Sequence, residues 1–435
     1  MDLFIRRNIA FEPGLFPGET LPVEPATVGE MVAAFLDYYQ QIWWACSADL
    51  PEFKHSYTKP EQAAYEKRLD RMLNGLVHEM RHIPKSEAER SSWQQRLQPP
   101  FYQFAMDVFH LQPQHLAYIE NSGLVEGIQS FARMARQFDS RISAEDIYQA
   151  GRNVMTANFI QLLLGLPVSV TPSIFAYSML YPYTDNYLDD PSVSTATKVA
   201  FNQRFRRRLK GEVVEPANAY ETTINTLIGM IESEWDRIGY PQVYASLLAI
   251  HSAQAHSLSL VAPGVSPFER DILGISFEKG GTSVLADGYL AAGNLTQDQA
   301  RILFGFGAFT QLMDDLEDIH ADSLEKRASL FTMTAPFWKL DALTQRFFHF
   351  GHRVISDLNA FHGEDVPILS ELMAACVDPI LLNTVGQSAE FYSKDGLARM
   401  QTHLPFRFAV VNKQRKKLAR QKLDMARLME LFLVD

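Results

Sequence analysis

The chain has 435 residues, 47% of them hydrophobic, and a formal net charge of −11. That apolar content is ample for a large core, and the negative balance excludes nucleic-acid binding by bulk charge. Its two cysteines, Cys46 and Cys376, have neither disulfide-framework nor metal-site spacing and suit a reducing compartment.

In chain order, residues 1–24 are rich in Pro and Gly and read as an extended arm, without the apolar core of a signal peptide. Thr27 and Glu30 make a capping box that opens a helix to about residue 48. Pro60 begins a helix that reaches His82 and is stopped by Pro84. Shorter helices are predicted over 100–110 and 124–138. Ser143 and Asp146 then cap a long helix to Leu164. Thr171-Pro172 opens the helix that ends in TDNYLDD, and another runs over 194–210 to Gly211. Three more cover 216–238, 241–261 and 267–277. Lys279-Gly280-Gly281 predicts a break before a helix over 282–292. Thr296 with Gln299 launches the helix containing 303–322, and the pattern from Pro336 onward is again helical.

No strand alternation or hairpin signal interrupts this series. The expected class is all-α: an N-terminal arm and helical extension over 1–140, packed on a helical domain over 141–435. No run of about twenty apolar residues is free of breakers. The closest, 159–183, is cut by Pro167, Pro172 and Pro182, so stable membrane insertion is not expected. A cytoplasmic location is expected, and a homodimer is compatible with this composition.

The stretch LFGFGAFTQLMDDLEDIHAD, residues 303–322, carries the strongest chemical signal. Asp314 and Asp318 are four apart and share a helix face, with Gln311 one turn earlier. Followed back, that face turns apolar through Gly307, Phe304 and Leu303. A solvated helix face has no reason to change character in this way, whereas the lip of an apolar pocket does. The helix ending in TDNYLDD repeats the arrangement. Asp185 and Asp189 share a face, with Asp190 beside them and Tyr181, Ser178 and Phe175 on the earlier turns. Acids at helix C-termini oppose the macrodipole by roughly 0.3–1 kcal/mol each, so stability does not account for them.

Two such helices side by side and pointing the same way would gather carboxylates around one pocket mouth. Mg²⁺ prefers hard oxygen ligands and shares them with substrate phosphate. Neutralising a departing diphosphate allows an allylic C–O bond to ionise, and a dry apolar pocket then protects the cation.

FGFGAFTQLMDDLED resembles the second aspartate-rich motif of trans-prenyl diphosphate synthases. DNYLDD is closer to the DxxEDD motif of squalene synthases, with Leu188 where that family has Glu. Both families belong to the class I isoprenoid synthase superfamily, and the resemblance spans roughly residues 150–330. It implies a helical bundle around a central apolar cavity and Mg²⁺ as cofactor. Asp185, Asp189, Asp190, Asp314, Asp315 and Asp318 would be its ligands or their partners, with a prenyl diphosphate as substrate. Asp185, Asp189, Asp314 and Asp318 would carry the catalysis. Phe175, Ser178, Tyr181, Leu303, Phe304 and Gly307 would line the pocket. Lys279, Gln311, Arg204 and Arg208 would contact the diphosphate, Lys279 by likeness to a Lys-Thr motif and the arginines by bidentate geometry.

The chain departs from the elongating enzymes in lacking a doubled Asp at the start of the first motif and an isopentenyl diphosphate motif near the N-terminus. The expected activity is therefore terpene synthase-like ionisation with cyclisation or quenching. The alternative is a prenyl transferase, chain-elongating or head-to-head. A remote third reading is a zinc protease, since His78-Glu79-Met80-Arg81-His82 matches HExxH. Pro84 ends that helix at once, and Lys85 and Ala88 break the extended motif.

Overall fold

A computed structural model describes residues 27–80, 84, 86–189, 192–261 and 266–420, which form helices and turns without a strand. The all-α expectation holds. The N-terminal half comprises α1 (Val28–Ala45), α2 (Lys59–Met80), α3 (Glu87–Phe109), α4 (Pro113–Asn121), α5 (Leu124–Phe138), α6 (Ala144–Leu163), α7 (Pro172–Asp189) and α8 (Thr195–Leu209). It continues through α9 (Ala219–Glu234), α10 (Pro241–Ser257), α11 (Ile272–Ala292), α12 (Gln297–Glu317) and α13 (Ile319–Glu325). The remainder is α14 (Leu330–Thr334), α15 (Asp341–Asp357), α16 (Val366–Gln387), α17 (Lys394–Gln401) and α18 (Phe408–Arg420).

The three capping signals act where the sequence puts them. Thr27, Ser143 and Thr296 accept from the backbone N–H three residues on, at 3.2, 3.0 and 3.2 Å. α4 and α14 answer to no predicted helix, and two further segments differ from expectation. α3 starts at Glu87 and runs through Pro99 and Pro100, where a proline pair predicts a helix start. Its early turns carry Trp93 and Leu97, which pack with Met80 of α2 and offset the lost backbone bonds. The break at Lys279-Gly280-Gly281 is absent, and α11 is continuous. A Cβ on Gly280 would overlap the Gly307 carbonyl oxygen, and one on Gly307 would overlap that of Gly280. The glycines serve a close helix crossing, not a turn.

α11 is apolar on nearly every side and is buried accordingly, ringed by α12, α10, α6, α7 and α1. Phe35, Tyr39 and Trp43 of α1 lie in the same apolar core as Phe277 and Phe304, so that core crosses the boundary expected near residue 140. α16 is long and apolar enough to cross a membrane by length and composition, a candidate the sequence reading missed because Pro379 interrupts it. Here it packs on α15, α17 and α18.

The directions of three helices position the site. Ser276 bonds Asp315, Gly280 meets Gly307 and Gly288 meets Leu303, so α11 and α12 are antiparallel. Ser173 donates to the Leu290 carbonyl at 3.4 Å and Tyr181 bonds Ser283 at 3.1 Å, so α7 and α11 are antiparallel too. α7 and α12 therefore run parallel, with their C-terminal ends at the same end of the bundle.

Candidate active site

From Ile272 to Leu290 the central helix is buried except at Glu278, Lys279 and Ser283, which are half-buried. Glu278 is engaged by His256 of α10 at 2.9 Å. Lys279 and Ser283, one turn apart, mark a stripe with solvent access in the middle of the bundle. Facing it are the half-buried Asn153 of α6, Tyr181 of α7, and Gln311 and Asp314 of α12. Their partial exposure makes the junction of α6, α7, α11 and α12 a shallow cleft reached by solvent. Arg152 of α6 spans its mouth to reach Asp314 at 2.8 Å.

The three aspartates of the second motif have separate environments. Asp314 is about 40% exposed and bound to Arg152. Asp318, the C-cap of α12, is exposed, and partial desolvation followed by the Asp314 charge raises its carboxyl pKa while Arg152 and Lys279 oppose the rise. Asp315 is buried, with both oxygens satisfied by Ser276 at 2.8 Å and Gln311 at 2.9 Å, and burial pushes its pKa up. Asp315 thus ties α11 to α12. Gln311 orients that tie, which corrects its expected place on the diphosphate.

The first motif is only partly within view. α7 carries Asp185 and Asp189 in its last turns, but their side chains, and Asp190 altogether, lie outside the described residues. What is established is the direction of α7, which brings its acidic end to the end of the bundle that holds Lys279, Asp314 and Asp318.

Several expected pocket residues belong to helix seams. Phe304 is fully buried, lies against Gly281 and meets Phe35 and Tyr39. Leu303 fills the space at Gly288, and Gly307 meets the α11 backbone. Phe175 points to α5, packing on Phe131 and Phe138. The periodicity identified an apolar side correctly, but that side meets neighbouring helices. Ser178 and Tyr181 do face the cleft elements, bonding Asn153 at 3.0 Å and Ser283 at 3.1 Å.

Arg204 and Arg208 are corrected as well. Each guanidinium is held by two bonds to a carboxylate of α9, Arg204 by Glu221 at 2.6 and 2.8 Å and Arg208 by Glu232, with a 2.6 Å contact. They fasten α8 to α9. Glu221 is buried, so Arg204→Ala leaves an uncompensated charge. Its expected cost is about 3 kcal/mol in urea unfolding, with diphosphate release per folded molecule unchanged.

No protein-family model, curated protein or solved structure matches the chain.

The donor chemistry at the cleft mouth fits half of a Mg²⁺ site. Asp314 and Asp318 are hard oxygen donors one turn apart, and among the described residues no three His, Cys, Asp or Glu side chains converge as a metal cluster. A complete site requires carboxylates of α7. For the zinc-protease reading, Glu79 is ion-paired with Arg96 at 3.3 Å, and His82 lies outside the described residues.

Sequence reasoning missed Arg152, Asn153, Ser276, Ser283 and Asp287. None has a local motif, and their partners are distant along the chain: Arg152 is 162 residues from Asp314. It also missed Asp322, whose carboxyl is pushed from 3.8 to about 6 by burial and then by Asp315, against the Arg327 charge. The folded carboxyl binds its proton more tightly than the unfolded one, so its contribution is full below about pH 3.8 and is lost as pH rises through about 6. In a chelator, Asp322→Asn is expected to be more stable than the parent at pH 7 by on the order of 1–3 kcal/mol. That advantage should vanish at pH 4; an equal difference at both pH values would contradict the assignment.

Proposed function

We propose that the protein ionises an allylic prenyl diphosphate at the acidic mouth of this cleft and directs the carbocation within it, as a terpene synthase-like member of the class I isoprenoid synthases. The observation that carries this reading is the parallel alignment of α7 and α12, whose acidic ends share one end of the bundle with Lys279 and Arg152. A diphosphate needs cations around it, and Lys279 of α11 and Arg152 of α6 supply them from the protein. The Arg152 side chain is 57% exposed, so it can exchange Asp314 for a phosphate oxygen without breaking a buried contact. Mg²⁺, when bound by Asp314, Asp318 and carboxylates of α7, supplies the positive charge that stabilises the leaving diphosphate.

Deeper in the cleft the polar mouth gives way to Tyr177 and Tyr181, whose rings are 6.2 Å apart. Aromatic faces attract a passing cation, and Ser283 holds the hydroxyls of both tyrosines. Tyr177 and Tyr181 belong to the large apolar core, the kind of surrounding that shields a carbocation from water.

The test is incubation with geranyl, farnesyl and geranylgeranyl diphosphates, with and without isopentenyl diphosphate, in Mg²⁺ or chelator. Diphosphate release from a single allylic substrate, lost on chelation, is the expected result. A requirement for isopentenyl diphosphate would replace cyclisation by prenyl transfer. No release under any condition would discard the proposal.

A further inference from the structure

All four exposed aromatic side chains among the described residues, Trp44, Phe268, Phe337 and Trp338, lie at one end of the bundle. The helix directions fix that end. α10 begins against the close of α11, where Tyr240 meets Gly293, and its exit packs on the start of α11 through Leu260 and Ile272. α15 opposes α12 in the same way: Phe347 meets Phe309 at 5.4 Å, and Asp357 lies 4.0 Å from Arg301. The exit of α10 and the starts of α11 and α15 therefore gather where α12 ends, the end that holds Asp314 and Asp318. Phe268 stands in the turn before α11. Phe337 and Trp338, with ring centroids 5.5 Å apart, stand in the turn before α15. Trp44, in the last turn of α1, lies under the Arg346 guanidinium of α15. Leu324 is in the last turn of α13, whose exit is tied to the same place by the Ala328 N–H, which donates to the Leu260 carbonyl at 2.8 Å. Phe268 is 98% exposed and Leu324 85%. Apolar residues scattered singly over a surface are ordinary, but these converge on one end.

We infer that this end of the bundle docks on a lipid bilayer surface, with Phe268, Leu324, Phe337 and Trp338 entering the interface as separate anchors. The charges between the anchors select this occupant. Phe268 is followed by the exposed Glu269 and Arg270, Leu324 by the exposed Glu325 and Lys326, and Trp338 by the exposed Lys339. A rigid protein partner covering the anchors would bury these charges with them, at a desolvation cost. At a bilayer the apolar tips enter while their charged neighbours stay at headgroup level, where zwitterionic lipid offers both a phosphate and an ammonium. Trp338 suits that boundary, because its ring is apolar and its N–H can stay near water. Charge opposes a second copy as the occupant. Facing this end to itself would bring Asp314 and Asp318 of both molecules together, in a chain already at net −11. The same acids weigh against strongly anionic lipid, so phosphatidylcholine is the expected surface. Docking does not depend on the chemistry proposed above, and it is read without turnover.

The full chain is mixed with phosphatidylcholine vesicles, or with vesicles that also contain phosphatidylserine, and the bound fraction is read by flotation at low and high salt. Binding to phosphatidylcholine that persists at high salt is expected, because apolar insertion is not screened. Phe268→Ser, Phe337→Ser and Trp338→Ser combined are expected to lower partitioning at least about tenfold, since binding scales with the apolar area inserted. Their exposure in turns means that the helical circular dichroism should not change. Val213→Ser with Ile238→Ser is the control. Both residues are more than 90% exposed, and they stand at the opposite end, where Gly211 meets Arg237 shortly before α10 begins. That pair should bind as the parent does. Nitroxide-labelled lipid should quench tryptophan fluorescence in the parent. Trp338→Phe, which keeps an apolar anchor, should bind normally and be quenched less. The inference is overturned by no binding to either vesicle, by parental binding in the triple variant, or by equal losses in the triple variant and the control pair. Binding to phosphatidylserine vesicles alone that high salt removes also overturns it, as does equal quenching of Trp338→Phe and the parent. A dimer of the parent that the triple variant abolishes would assign this end to a second copy and overturn it too.

Discussion

Asp314→Asn is expected to lower diphosphate release about 10²–10³-fold while leaving the fold intact, the loss typical when one preorganised electrostatic partner of the reacting charge is removed. Asp314 is at the exposed end of α12, and its ion pair with Arg152 joins two side chains that are 57% and 40% exposed. Such a pair contributes about 0–1 kcal/mol to stability, so the unfolding midpoint should barely move. Asp315 is the instructive contrast. It is buried and bonded to Ser276 and Gln311, and replacing it by Ala would leave buried donors without an acceptor. Steady-state diphosphate release and urea unfolding on both variants distinguish the two roles. If Asp314→Asn retains parental activity, the mouth of the cleft is not where the diphosphate leaves.

The second large effect concerns the α11–α12 seam. Gly307→Val is expected to cost at least about 3 kcal/mol, at or beyond the upper end of ordinary overpacking penalties. The obstacle is the backbone of Gly280 and Gly281, which cannot rotate aside as a flexible side chain could. Relief requires α12 to move away from α11, which would also pull Asp315 from Ser276 and Phe304 from Gly281. Activity should therefore fall along with stability. Gly75 provides the control: it lies within α2, and a methyl group added there would meet nothing within 4 Å, so Gly75→Ala should stabilise by roughly 0.5–1 kcal/mol. Urea unfolding of both variants checks the pair. Equal stability of Gly307→Val and the parent would mean that the two helices do not approach as closely as their glycines indicate.

Residues at these positions also explain how far the sequence can be read. Helix starts are legible because a cap is local: Thr27, Ser143 and Thr296 each need only a backbone donor three residues away. The acidic face of α12 is legible for the same reason, since Asp314 and Asp318 share one helix. Gly280 and Gly281 mislead because the same residue type serves a turn and a tight crossing, and only the partner, Gly307, distinguishes them. Arg204 and Arg208 mislead because the sequence shows available cations and not the carboxylates of Glu221 and Glu232 that engage them.

The sequence by itself determined the all-α class, several helix starts and the two acidic helix ends, because each follows from periodicity, capping and charge within a few residues. Only the tertiary structure decided which face of α12 is seam and which is cleft, that α7 and α12 run parallel, and that Asp287 is buried beside Asn153. Those properties depend on which helix lies opposite. That choice is made by packing between separate helices, 39 positions apart for Ser276 and Asp315 and 134 for Asn153 and Asp287, where no local pattern carries the information.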